Sequence, residues 1–105
     1  MTGNIEVLTS KNFDNTIAKG SVVVDFYADW CGPCKIMAPS FDKASSKVSS
    51  VKFAKLNVDG AQEIAQRYGV MSIPTTIVFK NGQPVDMRTG ALSEAEIVKM
   101  AEKVK

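Results

Sequence analysis

The segment Trp30-Cys31-Gly32-Pro33-Cys34 decides how this chain folds, and it contains both of the chain's cysteines. The run from Ser21 to Tyr27 precedes it with the continuous hydrophobicity of a buried parallel strand. A helical pattern then runs to about Ser46 or Lys47, with Pro33 in its first turn, where the missing N–H costs little. Two thiols at this spacing can close into a small disulfide and reopen without unfolding the chain, which favours electron exchange with other disulfides.

The bulk composition is typical of a globular protein with one core. The 105 residues predict a single domain over residues 1–105, with 45% hydrophobic and 23% charged residues. A net charge of +2 gives no reason to expect nucleic acid or a membrane surface as a partner. No apolar stretch approaches the roughly 18 residues of a membrane span. The start, Met1-Thr2-Gly3-Asn4, lacks the pattern of a signal peptide, so we expect a cytoplasmic location.

The chain has no histidine, which removes the commonest general base and the commonest metal ligand. With two cysteines, a zinc site within one chain would need two carboxylates as well, which is unusual. We therefore expect no bound metal. A metal bridging two copies of the chain through both cysteine pairs stays open as an alternative.

Hydrophobic periodicity predicts the order βαβαβαββα, an α/β fold with a central mixed sheet flanked by helices on both faces. Right-handed crossovers make the first three strands parallel, and the turn at Asn81-Gly82 adds an antiparallel edge. Strands are predicted at Ile5-Glu6-Val7, Ser21–Tyr27, Val51–Val58, Thr75–Lys80 and about Val85–Arg88. Helices are predicted from a cap at Thr9 or Ser10 to about Lys19, from about Cys34 to about Ser46 or Lys47, from an opening at Asp59 or Gly60 over about Gln62–Tyr68, and from the N-cap Ser93 onward.

Within the second helix, the spacing assigns four side chains to the buried face: Ile36, Met37, Phe41 and Ala44. Pro39 lies in the helix interior and is expected to kink it. In the last helix, Ser93 and Glu96 have the spacing of a capping box, and Leu92 and Ile97 that of a hydrophobic staple.

The two cysteines have different expected roles. Cys31 lies at the start of a helix, where backbone N–H groups and the helix dipole favour a thiolate, so it is the expected attacking thiol. Cys34 lies about one turn deeper, is expected to be less exposed, and is the expected resolving thiol. The alternative is a structural disulfide, but a ring with two intervening residues is too small to stabilise much.

Asp25 interrupts an apolar strand just before the motif. A buried lone carboxylate is costly, so we expect a raised pKa and a role as proton acceptor for Cys34. The alternative is an aspartate at a strand end that points into water. Lys55, in the neighbouring strand, can reach and tune Asp25, or it can be a solvated edge lysine, and the sequence favours neither.

Ile73-Pro74 and several apolar loop residues complete the candidate site. A proline ahead of a strand is ordinarily trans, since about 5–6% of X–Pro bonds are cis. Trp30, Met71, Ile73 and Ala91 lie in loops that can converge on Cys31 as an exposed apolar binding surface. Each of these side chains alone is more often core packing.

Taken together, these stretches closely resemble the thioredoxin family over nearly the whole chain. The matching stretches are Val24-Asp25-Phe26 ahead of Ala28, Trp30 to Lys35, Met37-Ala38-Pro39, Asn57-Val58-Asp59, Tyr68-Gly69-Val70, Ile73-Pro74-Thr75, Phe79 to Gly82, and Gly90-Ala91. Tyr27 stands where many members have tryptophan, and Met71-Ser72 and Thr89 differ from common choices around the substrate groove.

The resemblance implies a protein-disulfide reductase in which Cys31 attacks a target disulfide and Cys34 resolves the mixed disulfide. It implies that Asp25 assists Cys34 with Lys55 as its neighbour. It also implies that Pro74 is a cis proline, against the base rate. A target segment would pair with the backbone beside Ile73, with room left by Gly90, on a surface that includes Trp30, Gly32, Pro33, Met71 and Ala91.

The resemblance also implies partners and a source of electrons. Gly32-Pro33 between the cysteines matches the reducing members of the superfamily. No bound cofactor is expected: the redox-active disulfide Cys31–Cys34 would receive electrons from NADPH through thioredoxin reductase. Targets would include peroxiredoxins, methionine sulfoxide reductase and ribonucleotide reductase, and the protein would be a monomer. A binding module that serves as a subunit of another protein is a second hypothesis, and the two roles can coexist.

Overall fold

The computed structural model describes residues 5–105 and arranges them around a five-stranded sheet. The strands are β1 Ile5–Leu8, β2 Ser21–Tyr27, β3 Lys52–Asn57, β4 Thr75–Lys80 and β5 Gln83–Thr89. Their order across the sheet is β1-β3-β2-β4-β5. Strands β1 and β2 run parallel to β3, whereas β4 is antiparallel to both β2 and β5. The predicted mixed sheet is confirmed. The prediction that Met1 to Asn4 do not begin a signal peptide concerns residues outside the described part of the chain.

Four α-helices connect these strands or follow them within residues 5–105. They are α1 Phe13–Ile17, α2 Gly32–Lys47, α3 Gln62–Arg67 and α4 Glu94–Glu102, with a 3₁₀ turn at Val58–Gly60. The predicted order of elements is therefore confirmed, with the short turn as an addition between β3 and α3.

The first helix is shorter than predicted, and the prediction of its N-cap is wrong. Neither Thr9 nor Ser10 caps α1, which begins at Phe13 and ends at Ile17. The Asn12 side chain accepts a hydrogen bond from the Thr9 N–H at 2.7 Å. This local bond holds the segment in a turn that competes with helix formation.

The predicted opening of the third helix at Asp59 or Gly60 is also wrong. The Asn57 side chain accepts a hydrogen bond from the Asp59 N–H at 2.9 Å and caps the 3₁₀ turn. This turn takes Val58 out of the predicted strand. Helix α3 begins after it, at Gln62, with Ala61 as its N-cap.

In α2, three of the four residues assigned to the buried face are confirmed. Met37, Phe41 and Ala44 are each at most 1% exposed, whereas Ile36 is 76% exposed. Met37, Phe41 and Ala44 are four and three residues apart, so they form one stripe along the helix. Ile36 lies about 100° away from Met37, and it therefore faces outward. Pro39 lies inside the helix, as predicted.

Two apolar layers cover the sheet, and β2 contributes to both by alternation. On one face, Val22, Val24 and Phe26 pack with α1 and α3, where Phe13 contacts Phe26 with ring centroids 6.1 Å apart. On the other face, Val23 packs with residues of α2 and α4. Asp25 follows the parity of Val23, so its carboxyl group lies in the layer between the sheet and α2.

The turn and cap signals in the last third of the chain are confirmed. Asn81 and Gly82 adopt φ of 51° and 86°, as a tight hairpin requires. The Ser93 hydroxyl accepts from the Glu96 N–H at 3.2 Å, and the Glu96 carboxylate accepts from the Ser93 N–H at 2.9 Å.

Candidate active site

The paired cysteines lie at the start of α2, just beyond the carboxyl end of β2. Cys31 is the N-cap of the helix, and its sulfur accepts a hydrogen bond from the Cys34 N–H at 3.2 Å. The two residues form a disulfide with their Cα atoms 5.3 Å apart. The backbone N–H group that faces the Cys31 sulfur can equally stabilise a thiolate at that atom.

The prediction that Cys34 is less exposed than Cys31 is wrong for this disulfide form. Both residues are 4% exposed. The small ring holds the two sulfurs together, and Ala28, Tyr27, Val58 and Ile73 pack around them. The burial of each cysteine is therefore set by the loops that surround the ring.

The loop before β4 brings a backbone carbonyl against the Cys31 sulfur. The Ile73–Pro74 peptide is cis, which confirms the expectation from the resemblance and corrects the base-rate expectation. The carbonyl oxygen of Ile73 lies 3.8 Å from Cys31 Sγ. The Thr75 hydroxyl donates to the Ser72 carbonyl at 2.6 Å, and this bond ties the loop to the first residue of β4.

Gly90 anchors the same loop from the end of β5. Its N–H donates to the Pro74 carbonyl at 2.8 Å. Gly90 has a φ of +100°, a backbone conformation that residues other than glycine rarely adopt. A Cβ atom at this position would meet no other heavy atom within 4 Å. The space beside Gly90 is therefore open, at the place where a target segment is predicted to fit.

Asp25 is buried, with 5% exposure. Burial raises the pKa of its carboxyl group to about 7, and the charge of Lys55 opposes this rise. A cavity of about 140 Å³ is lined by both Asp25 and Cys34. The predicted raised pKa is confirmed, and the carboxyl group shares a cavity with the cysteine that it was predicted to serve.

Lys55 lies beside Asp25 in the parallel register of β2 and β3. No ion pair joins their side chains; instead, Lys55 Nζ lies 5.2 Å from the centroid of the Tyr27 ring. The lysine is partly buried and lines the same cavity as Asp25. It therefore acts on Asp25 through space, while the Tyr27 ring holds its ammonium group. No sequence pattern indicates this contact of Tyr27 with Lys55.

An open groove of about 470 Å³ runs beside the disulfide, and three of the four predicted apolar residues line it: Trp30, Met71 and Ile73. Trp30 is 70% exposed and Met71 is 96% exposed, so both present apolar surface to a partner. Ala91 is also exposed, but it does not line this groove. Gly32 and Pro33 are exposed at the first turn of α2.

The groove also has polar groups that the sequence analysis missed. The Trp30 indole N–H donates to the Asp59 carboxylate at 2.9 Å, which fixes the plane of the ring. Gln62 and Gln66 of α3 line the same groove. A signal for Asp59 was present, since an aspartate directly after a parallel strand lies at the edge where sites form.

A model of the thioredoxin family matches residues 4–103, nearly the whole chain. The chain belongs to the thioredoxin family. It is 41% identical to the thioredoxin of Chlamydia caviae over 96 residues, covering 91% of this chain and 94% of the relative. Among solved structures, Plasmodium falciparum thioredoxin has a TM-score of 0.88 at 35% identity, with 96% of this chain and 100% of that chain covered.

A second solved structure is also similar to this member of the thioredoxin family. It comes from work on the thiol resolving mechanism in yeast mitochondrial 1-Cys peroxiredoxin via glutathione/thioredoxin systems. That structure has a TM-score of 0.86 at 35% identity, and 94% of each chain is covered.

As a member of the thioredoxin family, the protein is a thiol–disulfide oxidoreductase with a redox-active Cys31–Cys34 disulfide. Its targets contain disulfides, and a reductase restores its dithiol form. Within the described part of the chain, no helix is both long enough and apolar enough to cross a membrane. Residues 5–105 also contain no group of three or more histidine, cysteine, aspartate or glutamate side chains placed to hold a metal ion.

Proposed function

We propose that this protein reduces protein disulfides, with Cys31 as the nucleophile and Cys34 as the resolving thiol. The Cys31 thiolate attacks one sulfur of a target disulfide, forms a mixed disulfide and releases the first target thiolate. The Cys34 thiolate then attacks Cys31 Sγ, so the Cys31–Cys34 disulfide forms and the second target sulfur leaves as a thiolate. The target gains two electrons, which this protein loses.

The observation that carries this assignment is the position of the Cys31 sulfur. It accepts a hydrogen bond from a helix N-terminal N–H and lies 3.8 Å from the carbonyl oxygen of Ile73, a residue that lines the open groove. Donors at that sulfur favour the thiolate, which is the attacking species. Cys34 lines the cavity that it shares with Asp25.

Asp25 is the proposed proton acceptor for Cys34. Its pKa of about 7 lets the carboxyl group take a proton near neutral pH and release it again. Lys55, beside it in the register, is the proposed neighbour that moderates this pKa.

We propose that a target binds as an extended segment along the Ile73–Pro74 loop. Its backbone would pair with the backbone beside Ile73, as in strand addition, and the open space at Gly90 would admit it. Trp30, Met71 and Ala91, with Gly32 and Pro33 at the helix start, would provide the apolar surface for the flanking target residues.

The proposed electron source is NADPH, through thioredoxin reductase. The proposed targets are peroxiredoxins, methionine sulfoxide reductase and ribonucleotide reductase. The similar chain from the yeast peroxiredoxin study supports the first of these classes. We place the protein in the cytoplasm as a monomer.

The test is reduction of insulin disulfides with thioredoxin reductase and NADPH, together with trapping of partners. Cys31→Ser should lose the activity because the attacking sulfur is gone. Cys34→Ser should accumulate mixed disulfides through Cys31, which a non-reducing gel and mass spectrometry identify. The double variant is the control that should capture no disulfide-linked partner. Activity that survives Cys31→Ser would overturn the proposal.

A further inference from the structure

Two buried side-chain oxygens belong to residues that oppose each other on the adjacent central strands β2 and β4. Strands β2 and β4 pair Asp25 with Thr76 in antiparallel register. Asp25 is 5% exposed and Thr76 is fully buried. Asp25 Oδ1 and Thr76 Oγ1 are the two buried side-chain oxygen or nitrogen atoms in residues 5–105 that have no hydrogen-bond partner. Buried polar atoms almost always have a hydrogen-bond partner, so two unpaired oxygens on opposed residues need an explanation.

The register places the two side chains within reach of each other. Directly opposed residues of an antiparallel pair point to the same face, with Cβ atoms about 4.5–5.5 Å apart. Rotation about the short side-chain bonds of Asp25 and Thr76 is then enough to bring hydroxyl and carboxylate together. No backbone movement is needed.

The hydroxyl of Thr76 is a polar group among apolar side chains. The neighbouring positions on the same face, Val23 on β2 and Val78 on β4, are apolar and belong to the core under α2 and α4. Valine would fill the space of Thr76 with the same shape. A buried hydroxyl without a hydrogen-bond partner costs stability, and Thr76 Oγ1 has none in this structure.

We propose that Thr76 is a positioning residue for thiol–disulfide exchange, whose hydroxyl donates a hydrogen bond to the Asp25 carboxylate when Asp25 ionises. This inference rests on the proposed function of Asp25 as the proton acceptor for Cys34. The hydroxyl favours the ionised carboxylate, the form that accepts the proton, and it orients Oδ1.

The charge of Lys55 also acts on the ionisation of Asp25, and other charged groups lie nearby, so the variants must leave all of these groups unchanged. Lys55 faces Asp25 from β3, and Arg88 of β5 is the register partner of Thr76. Arg88 in turn pairs with Glu96 of α4 at 3.3 Å. The further groups that line the cavities beside Asp25 are Asp29, Lys35 and Asp42.

The experiment measures the protonation of Asp25 directly, by NMR of its carboxyl carbon over a pH series in the oxidised and reduced protein. Thr76→Val removes the hydroxyl and keeps the shape, so the Asp25 midpoint should rise by about one pH unit. Thr76→Ser keeps the hydroxyl and should stay near the wild-type midpoint. Ser45→Ala removes a buried hydroxyl that donates to the Asp42 carbonyl of the same helix, and it should leave the Asp25 midpoint unchanged.

A kinetic measurement adds a pH profile, which would not shift if Thr76 had a structural role alone. The rate of mixed-disulfide resolution should rise with pH around the same midpoint as Asp25. In Thr76→Val this profile should move to higher pH by the same amount, and it should reach the wild-type rate above the new midpoint. A uniform loss of rate at every pH would contradict the positioning role.

An unchanged Asp25 midpoint in Thr76→Val, or an equal rise in Thr76→Ser, would overturn the inference. If Thr76→Val does not fold, the wild-type protein decides: a hydroxyl proton of Thr76 that is protected and titrates with Asp25 supports the bond, and an unprotected one rejects it. Failure of the underlying function is seen separately. In that case Asp25→Asn would leave resolution at its normal rate, while the Asp25 midpoint would still report on Thr76.

Discussion

A single carboxyl group, Asp25, is the proposed proton acceptor in this protein. It lies between Val24 and Phe26 in the central strand, where burial raises its pKa to about 7. Lys55 is near enough to oppose this rise, but its ammonium group lies over the Tyr27 ring and does not pair with the carboxylate. With this pKa, Asp25 changes its charge near neutral pH.

We predict that Asp25→Asn slows resolution of the mixed disulfide by about 100-fold near pH 7 and slows the initial attack much less. The amide cannot accept the Cys34 proton, whereas attack by Cys31 does not require this acceptor. Stopped-flow fluorescence can separate the two steps, because Trp30 is the chain's one tryptophan and lies beside Cys31.

Asp14→Asn is the matched control for this prediction. It makes the same chemical change at an exposed aspartate of α1 that pairs with Arg67 at 2.6 Å. Both steps should keep their wild-type rates in this variant. Equal slowing of both steps in Asp25→Asn would contradict the assigned role.

Helices α2 and α4 each begin at a local side-chain hydrogen bond. Helix α2 begins at the disulfide itself, since Cys31 is its N-cap and accepts from the Cys34 N–H. Helix α4 begins with the reciprocal pair Ser93 and Glu96, far from the reacting sulfurs in the chain. Changes at the first helix end should therefore affect chemistry, and changes at the second should affect stability alone.

We predict that Ser93→Ala lowers the free energy of unfolding by about 1 kcal/mol, because the Glu96 N–H loses its acceptor. Urea denaturation of the oxidised protein measures the change, and insulin reduction should stay at the wild-type rate. Ser93→Asp, which keeps an acceptor at the cap, is the control. If Ser93→Asp were as destabilised as Ser93→Ala, the cap would not be the cause.

For the whole molecule, the buried carboxyl group makes stability depend on pH. The sheet separates two apolar layers, and Asp25 lies in the one under α2 and α4. Folding takes its pKa from 3.8 to about 7 because burial disfavours the charged form. Between these values the folded state holds the proton more tightly than the unfolded state, so the contribution of Asp25 to stability falls as pH rises.

We predict that Asp25→Asn is more stable than wild type above pH 7 and that this advantage disappears below about pH 4. The difference between the pKa values of 3.8 and about 7 corresponds to a change in the free energy of unfolding on the order of 4 kcal/mol over that pH range. Urea denaturation of both oxidised proteins between pH 4 and pH 9 measures the difference. A constant difference across this range would show that Asp25 is not protonated in the folded state near neutral pH.

Much of the fold was predictable because short-range physics determines it. The apolar run Ser21–Tyr27 is the strand that the sequence predicts, and Asn81-Gly82 is the predicted turn. The capping box at Ser93 and the helix start at Cys31 also follow from neighbouring residues. The boundary of α1 was missed because the Asn12 side chain bonds to the Thr9 backbone, and several residue types in that segment can compete for this role.

The cysteine pair, the order of the elements and the placement of Asp25 in a central strand were determined by the sequence alone, because periodicity, turn chemistry and motif spacing act over a few residues. Only the tertiary structure decided that Thr76 opposes Asp25, that Lys55 lies over Tyr27, and that both cysteines are equally buried. These contacts join residues distant in the chain. They depend on the register of paired strands and on how loops close over a sulfur ring, which no local pattern encodes.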